Sequence, residues 1–499
     1  MTDRPPPAAA SGLERRIAAG TAWSFLGILS ERLVAFVVFV LVVRNLSPAE
    51  VGIVTLAVVF IDLSLILTQG GMPEAIIRHE APDETTFDTA FWTTVGLGAA
   101  MTAALCLAAG PIADFYATPA LETVLYVLSA AFVTTALGAV HGARLTRAFR
   151  FRAVAARSMT ATLVGGAAAV ALSVAGYGLW ALVVQRLATV ALSTVFVWVA
   201  ARWTPRLRFD RRQFGALAQL GVRLSMTTVV LQLTSSLTLL IIGAVMSNAV
   251  VGYYRVASRL FDVVVQFAVG PVSQVALASF AAVQSDPARL TALYARLTGA
   301  VSMISVAGFL ALAALAEPLV RLTFGAEWTP SAPLLSIMCL VALPLCVNQF
   351  VHPLLTARGR GGDVLRFGLL QLSLSAAFTA VAAPFGAAAV AAAYAARGYA
   401  VLPYALRLTA RHGGMTAAAL LGRAAAPAAA AALMAAALFA AQRYVFPAYG
   451  PVGKLLACIP LGIAVYAVGI LVLARPRLRE LRETATLIRQ QAPGKAAAG

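Results

Sequence analysis

Eight ionisable residues stand within long apolar stretches of this chain: Glu31, Arg32, Asp62, Arg186, Arg223, Arg255, Arg259 and Asp262. A charge surrounded by hydrocarbon is expensive, so each is expected either to pair or to meet a polar ligand. Arginine dominates the set. A guanidinium stays charged at any physiological pH and grips phosphate or carboxylate oxygens two at a time. The arginines therefore suit an anionic ligand. The acids offer something else: Asp62, Asp262 and Glu31 can take up a proton or a cation as well as balance an arginine.

Spacing sharpens these readings. Arg255, Arg259 and Asp262 fall at i, i+4 and i+7, on one face of a helix. Arg259 would then lie about 15 Å deep, near the bilayer midplane. It either binds an anionic headgroup, with Asp262 as counter-charge, or is locked to Asp262 alone. Glu31 and Arg32 point about 100° apart on a helix and need partners elsewhere. They read as cavity-lining charges or as structural ion pairs between packed helices. Asp62 is an ion-coupling candidate or the partner of an arginine. Arg223 and Arg255 lie close enough to helix ends to snorkel. Arg397 and Arg423 are expected at the cytoplasmic interface, and Tyr253 and Tyr254 at the outer one. Ser24, Ser30, Thr227, Thr228, Gln232, Ser235 and Ser236 supply polar surface at a similar depth.

The elements that hold these residues are membrane helices. The chain has 499 residues, 61% hydrophobic and 12% charged, against about 25% charged in a soluble protein. About fourteen apolar segments are long enough to cross a bilayer: 18–43, 49–72, 87–109, 119–140, 155–175, 177–200, 213–246, 249–280, 295–316, 331–353, 363–383, 386–406, 418–441 and 452–474. The net charge of +18 does not indicate nucleic acid, because the basic residues gather in alternate loops and in both tails. That is the positive-inside pattern, with both termini cytoplasmic. The N-tail lacks a signal-peptide core and cleavage site, so the first helix is expected to be an uncleaved anchor. Cys106, Cys339, Cys346 and Cys458 form no CxxC and read as small core residues.

An internal repeat divides the chain. Residues 46–62 and 246–262 share Ser47/Ser247, Ala49/Ala249, Val51/Val251, Gly52/Gly252, Ala57/Ala257 and Asp62/Asp262. Pro111/Pro318, Leu145-Thr146/Leu355-Thr356 and Gly178/Gly386 follow at similar offsets. Six helices per copy gives two parallel repeats. The expected fold is an all-α integral membrane protein with an N-lobe at 1–210 and a C-lobe at 211–412 around a central cavity. Two extra helices and a basic tail follow at 413–499.

GTAWSFLG (20–27), VVRNLSPAEVGIVTLA (42–57), GMPEAIIR (71–78), FRFRAVAARS (149–158), GYGLWALV (176–183), IIGAVMSNAVVGYYRVASRL (241–260) and LVRLTFGAEW (319–328) stand in order along the chain. Through them it resembles the Wzx-type lipid-linked oligosaccharide flippases, the polysaccharide transporters of the multidrug/oligosaccharidyl-lipid/polysaccharide exporter superfamily. The resemblance implies a bacterial inner-membrane protein that moves undecaprenyl-pyrophosphate-linked oligosaccharide by alternating access, for lipopolysaccharide, capsule or exopolysaccharide. It implies no cofactor and no metal. Its partners would be the lipid-linked oligosaccharide, membrane lipids and polysaccharide polymerase machinery. Family members often carry Asn and Asp shortly before the IIG at 241–243, where this chain has Ser236 and Thr238. The rival readings are a cation-coupled drug or metabolite exporter, or a peptidoglycan-precursor flippase, of the same superfamily. A membrane polymerase or ligase is disfavoured by the short expected outer loops near 317–330 and 442–451. No GxxxxGK[ST], HExxH or GxSxG occurs, so the chain offers none of those nucleotide, zinc or nucleophile motifs.

Overall fold

The computed structural model describes residues 30–473, all of them helix, turn or coil without a strand. The N-tail, GTAWSFLG with Ser24, and the basic C-tail lie outside the described residues. The first part of the chain contains α1 (30–43), α2 (Pro48–Gln69), α3 (Met72–Arg78), α4 (Glu84–Phe115), α5 (Pro119–Arg147), α6 (Phe151–Val174), α7 (Trp180–Ala201), α8 (Arg211–Val245) and α9 (Asn248–Val264). Then come α10 (Gly270–Ala282), α11 (Pro287–Ala314), α12 (Ala316–Thr323), α13 (Ser331–Met338), α14 (Ala342–Asn348) and α15 (Val351–Ala357). The series closes with α16 (Gly361–Ala382), α17 (Ala387–Gly413), α18 (Ala417–Ala440) and α19 (Pro451–Leu473).

Eleven helical spans among the described residues are long and apolar enough to cross a membrane. Three expected segments are not among them. The first helix is described only from residue 30. The segment 249–280 is interrupted by a π-turn at Val265–Val269 between α9 and α10, and α9 carries Arg255, Arg259 and Asp262. The segment 386–406 lies in α17, which also carries Arg397, Arg407 and Arg411. The expected single helix at 331–353 is built as α13, a 3-10 turn at Cys339–Val341, α14 and α15. Pro344 and Pro353 each sit in the first turn of a new piece, where a missing N–H costs least.

Helix starts follow local chemistry. Ser47 caps α2: its backbone N–H donates to the Glu50 carboxylate at 2.9 Å, and its hydroxyl accepts from the Glu50 N–H, a capping box followed by Pro48 at the first helical position. Asp83, Asp210, Asp286 and Thr416 cap α4, α8, α11 and α18. Inside the helices, Thr55, Thr93, Thr189 and Thr234 return their hydroxyls to the carbonyl four residues back. That keeps polar atoms satisfied in an apolar setting. Small residues bring helices together: a methyl on Gly138 of α5 would stand 3.0 Å from Thr194 of α7.

The chain divides into two compact units, up to Gly252 and from Tyr253. The division falls in the first turns of α9, with α8 on the first side because it packs on α2, α3 and α4. In the first unit Met72, Ile76, Phe87, Phe91, Val140 and Leu217 form one buried cluster with Trp203. In the second, α18 packs on α11 and α19 on α18 through Met434, Leu438, Leu455 and Cys458. The repeat-matched residues occupy matching places. The turn after α5 bonds Phe149 N to Thr146 O and Arg150 N to Leu145 O. The turn after α15 bonds Gly359 N to Thr356 O and Arg360 N to Leu355 O. Phe149 and Gly359 adopt φ of 54° and 67°, so glycine fills the left-handed position in one copy and phenylalanine in the other.

Candidate functional site

Most of the sequence-singled charges are described, and they gather into separate groups. In the first unit Asp62 of α2 accepts a hydrogen bond from Nη2 of Arg186 on α7. The pair is half-open, with 34% of the Arg186 side chain and 33% of Asp62 exposed. Nε of Arg186 is buried and has no partner among the described residues, so one donor of the guanidinium is unspent. Glu31 of α1 turns to α6, where it faces Arg157 and hydrogen-bonds Ser158. Arg32, its neighbour, is exposed. The Arg157 guanidinium lies beside Gly142 of α5, in the space a larger residue would fill. Arg157 stands within the FRFRAVAARS motif, but nothing in its spacing marks it as the partner of Glu31. The side chains of Arg223 and Thr227 lie outside the described set.

The second unit holds a denser group. Asp262 is under the influence of Arg255 and Arg259 of its own helix. Arg397 of α17 joins them: it hydrogen-bonds Tyr394 and its guanidinium carbon lies 5.0 Å from the Tyr394 ring centre, a cation–π contact. Tyr254 is 3% exposed and shares the electrostatic environment of Tyr394, Arg397 and Asp262. Tyr254, expected at the outer interface, is buried among these side chains, and Arg397 is held against Tyr394. Behind them Phe261 meets Tyr394 edge-on at 5.7 Å and stacks on Phe309 at 4.7 Å, an apolar wall for the charges. Tyr253 packs edge-on against Trp328 at 6.0 Å.

Polar groups on α8 divide by depth of burial. Ser236 and Thr238, at the family's departure point, are 4% and 6% exposed, and Gln232 donates to Ser236 at 3.3 Å. Thr228 and Ser235 are exposed. Among the described residues no group of three His, Cys, Asp or Glu is arranged to hold a metal ion.

The basic loops prove to be built rather than merely charged. Arg144 binds Glu84 through both terminal nitrogens and lies over the rings of Phe87 and Trp203 at 4.3 and 4.8 Å. Trp203 donates to Glu84 at 2.7 Å. Arg147 donates to the carbonyls of Ile76 and Glu80 at 3.1 and 2.9 Å, closing the end of α3. His141, scattered by sequence, is fully buried, stacks on Trp198 at 4.3 Å, and lies 3.1 Å from the Trp203 carbonyl. Hydrogen bonds from Thr86 hold the Asp83 carboxyl below the usual carboxylate range.

The chain can now be set beside known proteins. It is 23% identical to the succinoglycan biosynthesis transport protein ExoT of Rhizobium meliloti (strain 1021), over 70% of this chain and 71% of that one. It is 24% identical to the lipopolysaccharide biosynthesis protein WzxC of Escherichia coli (strain K12), over 72% and 74%. Its fold is similar to that of the lipid II flippase MurJ in an inward closed conformation, with a TM-score of 0.73 at 14% identity, covering 92% of this chain and all of that one. An inward-facing MATE-family multidrug transporter gives 0.61 at 15% identity, covering 76% and 95%. The family model described as "Polysaccharide biosynthesis protein" matches residues 41–333. The chain is a multi-pass membrane protein that belongs to the polysaccharide biosynthesis protein family.

Proposed function

We propose that the protein flips undecaprenyl-pyrophosphate-linked oligosaccharide repeat units across the bacterial inner membrane. The observation that carries this reading is the group around Asp262, where Arg255 and Arg259 share its helix and Tyr394 holds Arg397 of α17 in the same neighbourhood. Arginines in an apolar segment are retained where they meet an acid or an anionic ligand. A pyrophosphate fits, because guanidinium groups meet its oxygens in pairs. The names of the relatives, a succinoglycan transport protein and a lipopolysaccharide biosynthesis protein, support a glycan cargo. The fold shared with a lipid II flippase supports alternating access.

In this reading 1–210 and 211–412 act as the two lobes, and both termini face the cytoplasm. Arg259 and Arg255 capture the pyrophosphate, with Arg32, Arg186 and Arg223 as further cavity candidates. Asp62 and Asp262 are the candidates for coupling to a proton or cation, with Glu31 beside them. Polymerase machinery on the far side takes the delivered repeat unit. Deleting the gene in the native host tests the proposal. Loss of surface polysaccharide with complete repeat units held on the cytoplasmic leaflet is expected. Repeat units that reach the outer leaflet unpolymerised would assign the chain to polymerisation instead. An intact glycan with altered drug tolerance would assign it to drug export.

A further inference from the structure

The helices of the first unit meet at close quarters. A methyl on Gly52 would overlap the carbonyl oxygen of Asn248, and one on Gly252 would overlap that of Pro48. The connection from α7 to α8, residues 202–210, is held as firmly, but by hydrogen bonds to one helix. Glu84, Asp88 and Trp92 stand at i, i+4 and i+8 along one face of α4, and all three bind it. Glu84 accepts from the Trp203 indole at 2.7 Å, Asp88 accepts from the backbone N–H of Arg206 at 2.9 Å, and the Trp92 indole donates to the Arg206 carbonyl at 2.8 Å. Thr89 then accepts from the N–H of Asp210 at 3.1 Å, and Gln213 donates to Asp83 at 3.4 Å. The connection therefore descends along α4 and returns. From the level of Glu84 to that of Trp92 it moves about 12 Å, at about 1.5 Å of rise per residue. Its lowest point is a three-residue turn on Leu207, closed by the Arg208 N–H on the Arg206 carbonyl at 2.8 Å. From Thr89 to Ala113, α4 carries no charged residue, so Trp92 stands where hydrocarbon begins, the level at which indoles gather.

Held by its backbone, the connection turns its side chains outward. Leu207 is 89% exposed, Phe209 54% and Phe214, at the start of α8, 39%. Arg202, Arg206, Arg208, Arg211 and Arg212 are exposed as well, and among the described residues none of these five forms an ion pair. The nearby acids are engaged: Glu84 and Asp88 hold the connection, and Asp210 accepts from the Arg212 N–H at 2.7 Å to cap α8. Large apolar side chains beside guanidinium groups are poorly placed in water, whereas the boundary of headgroups and acyl chains satisfies both. We propose that residues 202–214 form a docking surface for the anionic phospholipids of the leaflet they face. Leu207 and Phe209 enter the acyl boundary, and the arginines bind headgroup phosphates. The docking ties the start of α8 to the membrane plane, and it stands apart from the cargo assigned above.

The test uses the full-length protein in a Cys106→Ser background, since Cys339, Cys346 and Cys458 are buried. A fluorophore on Leu207→Cys is compared with one on Ala81→Cys, exposed in the turn before α4. Both proteins are placed in vesicles of phosphatidylcholine and phosphatidylglycerol that carry a lipid brominated near the headgroup end of its chains. The Leu207→Cys label should be quenched at least about threefold more than the Ala81→Cys label, as for a side chain at the acyl boundary. Equal quenching overturns the docking and leaves the patch to a soluble acidic partner. The headgroup is read separately, by native mass spectrometry of purified protein offered both lipids. The wild type should retain phosphatidylglycerol over phosphatidylcholine, and Arg206→Gln/Arg208→Gln/Arg211→Gln/Arg212→Gln should lower that preference at least about twofold at an unchanged thermal midpoint. Should the midpoint fall, Arg206→Gln/Arg208→Gln, with both positions outside the helices, gives the reading instead. An unchanged preference overturns the role of the arginines. Displacement of phosphatidylglycerol by inorganic phosphate, but not by chloride of the same ionic strength, overturns the lipid in favour of a soluble phosphate compound.

Discussion

The two repeats place an aspartate at the same position and surround it differently. Asp62 of α2 meets one arginine, Arg186, brought from α7. Asp262 of α9 is under the influence of two arginines of its own helix, while Arg397 of α17 bonds Tyr394 nearby. The first arrangement is close to neutral and ties two helices together. The second gathers arginines of its own helix and lies beside the packed rings of Phe261 and Tyr394. The repeat-matched position thus meets an arginine from a distant helix in one copy and arginines of its own helix in the other. Repeat symmetry alone would have given them equal roles.

Substitutions can break or sharpen that contrast. The largest effect is expected from Arg255→Ala/Arg259→Ala, which should cut glycan export at least about 100-fold at unchanged protein level, since it removes charge-assisted bonds to phosphate. Normal export in that variant would end the anion-site assignment. Arg259→Lys should lower export about tenfold and Arg186→Lys about threefold or less, because lysine keeps the charge but loses the paired geometry. Similar losses for both would make the two sites alike. A double-mutant cycle on Asp62→Ala and Arg186→Ala, read by thermal unfolding in detergent, should give a coupling of about 1–3 kcal/mol. The same cycle on Asp262 and Arg259 should give under about 1 kcal/mol, since Arg255 remains to share the acid. Equal couplings would erase the contrast.

The smallest effect compares the capping aspartates of α4 and α11. Asp83→Ala and Asp286→Ala should each cost about 1 kcal/mol. The Asp83 carboxyl is held below its ordinary value by Thr86, so its stabilisation is complete above the unfolded carboxylate pKa of about 4 and fades as pH falls through the folded value. The stability difference between wild type and Asp83→Ala should therefore shrink on acidification, measured as midpoint shifts between neutral pH and about pH 3. A constant difference across that range would remove the carboxylate from the cap.

Hydropathy marked most of the helices, because a membrane span must be long and apolar whatever it packs against. The repeat was legible where a turn demands a fixed geometry, as at Leu145-Thr146 and Leu355-Thr356, or where glycine permits contact, as at Gly52 and Gly252. Asp62 and Asp262 were legible as costly charges. Their partners were less so. Arg186 stands 124 residues from Asp62, and Arg157 reaches Glu31 from α6. Such pairs depend on tertiary packing, which periodicity does not encode. The burial of Tyr254 was hidden for the same reason: its place near a helix start says nothing of the Tyr394, Arg397 and Asp262 beside it. The break between α13 and α14 was hidden because a 3-10 turn leaves an apolar run uninterrupted.

The backbone approach of Gly52 to Asn248, and of Gly252 to Pro48, also bears on biogenesis. Its halves are separated by roughly 200 residues, which a ribosome takes about 10–40 s to make. Until the turn before α9 is inserted, the start of α2 has nothing to close against. Any helper that shields nascent membrane helices must hold α2 for that interval. A chain stalled before Asn248 would present this glycine face to lipid, to quality-control proteases and to its own copies.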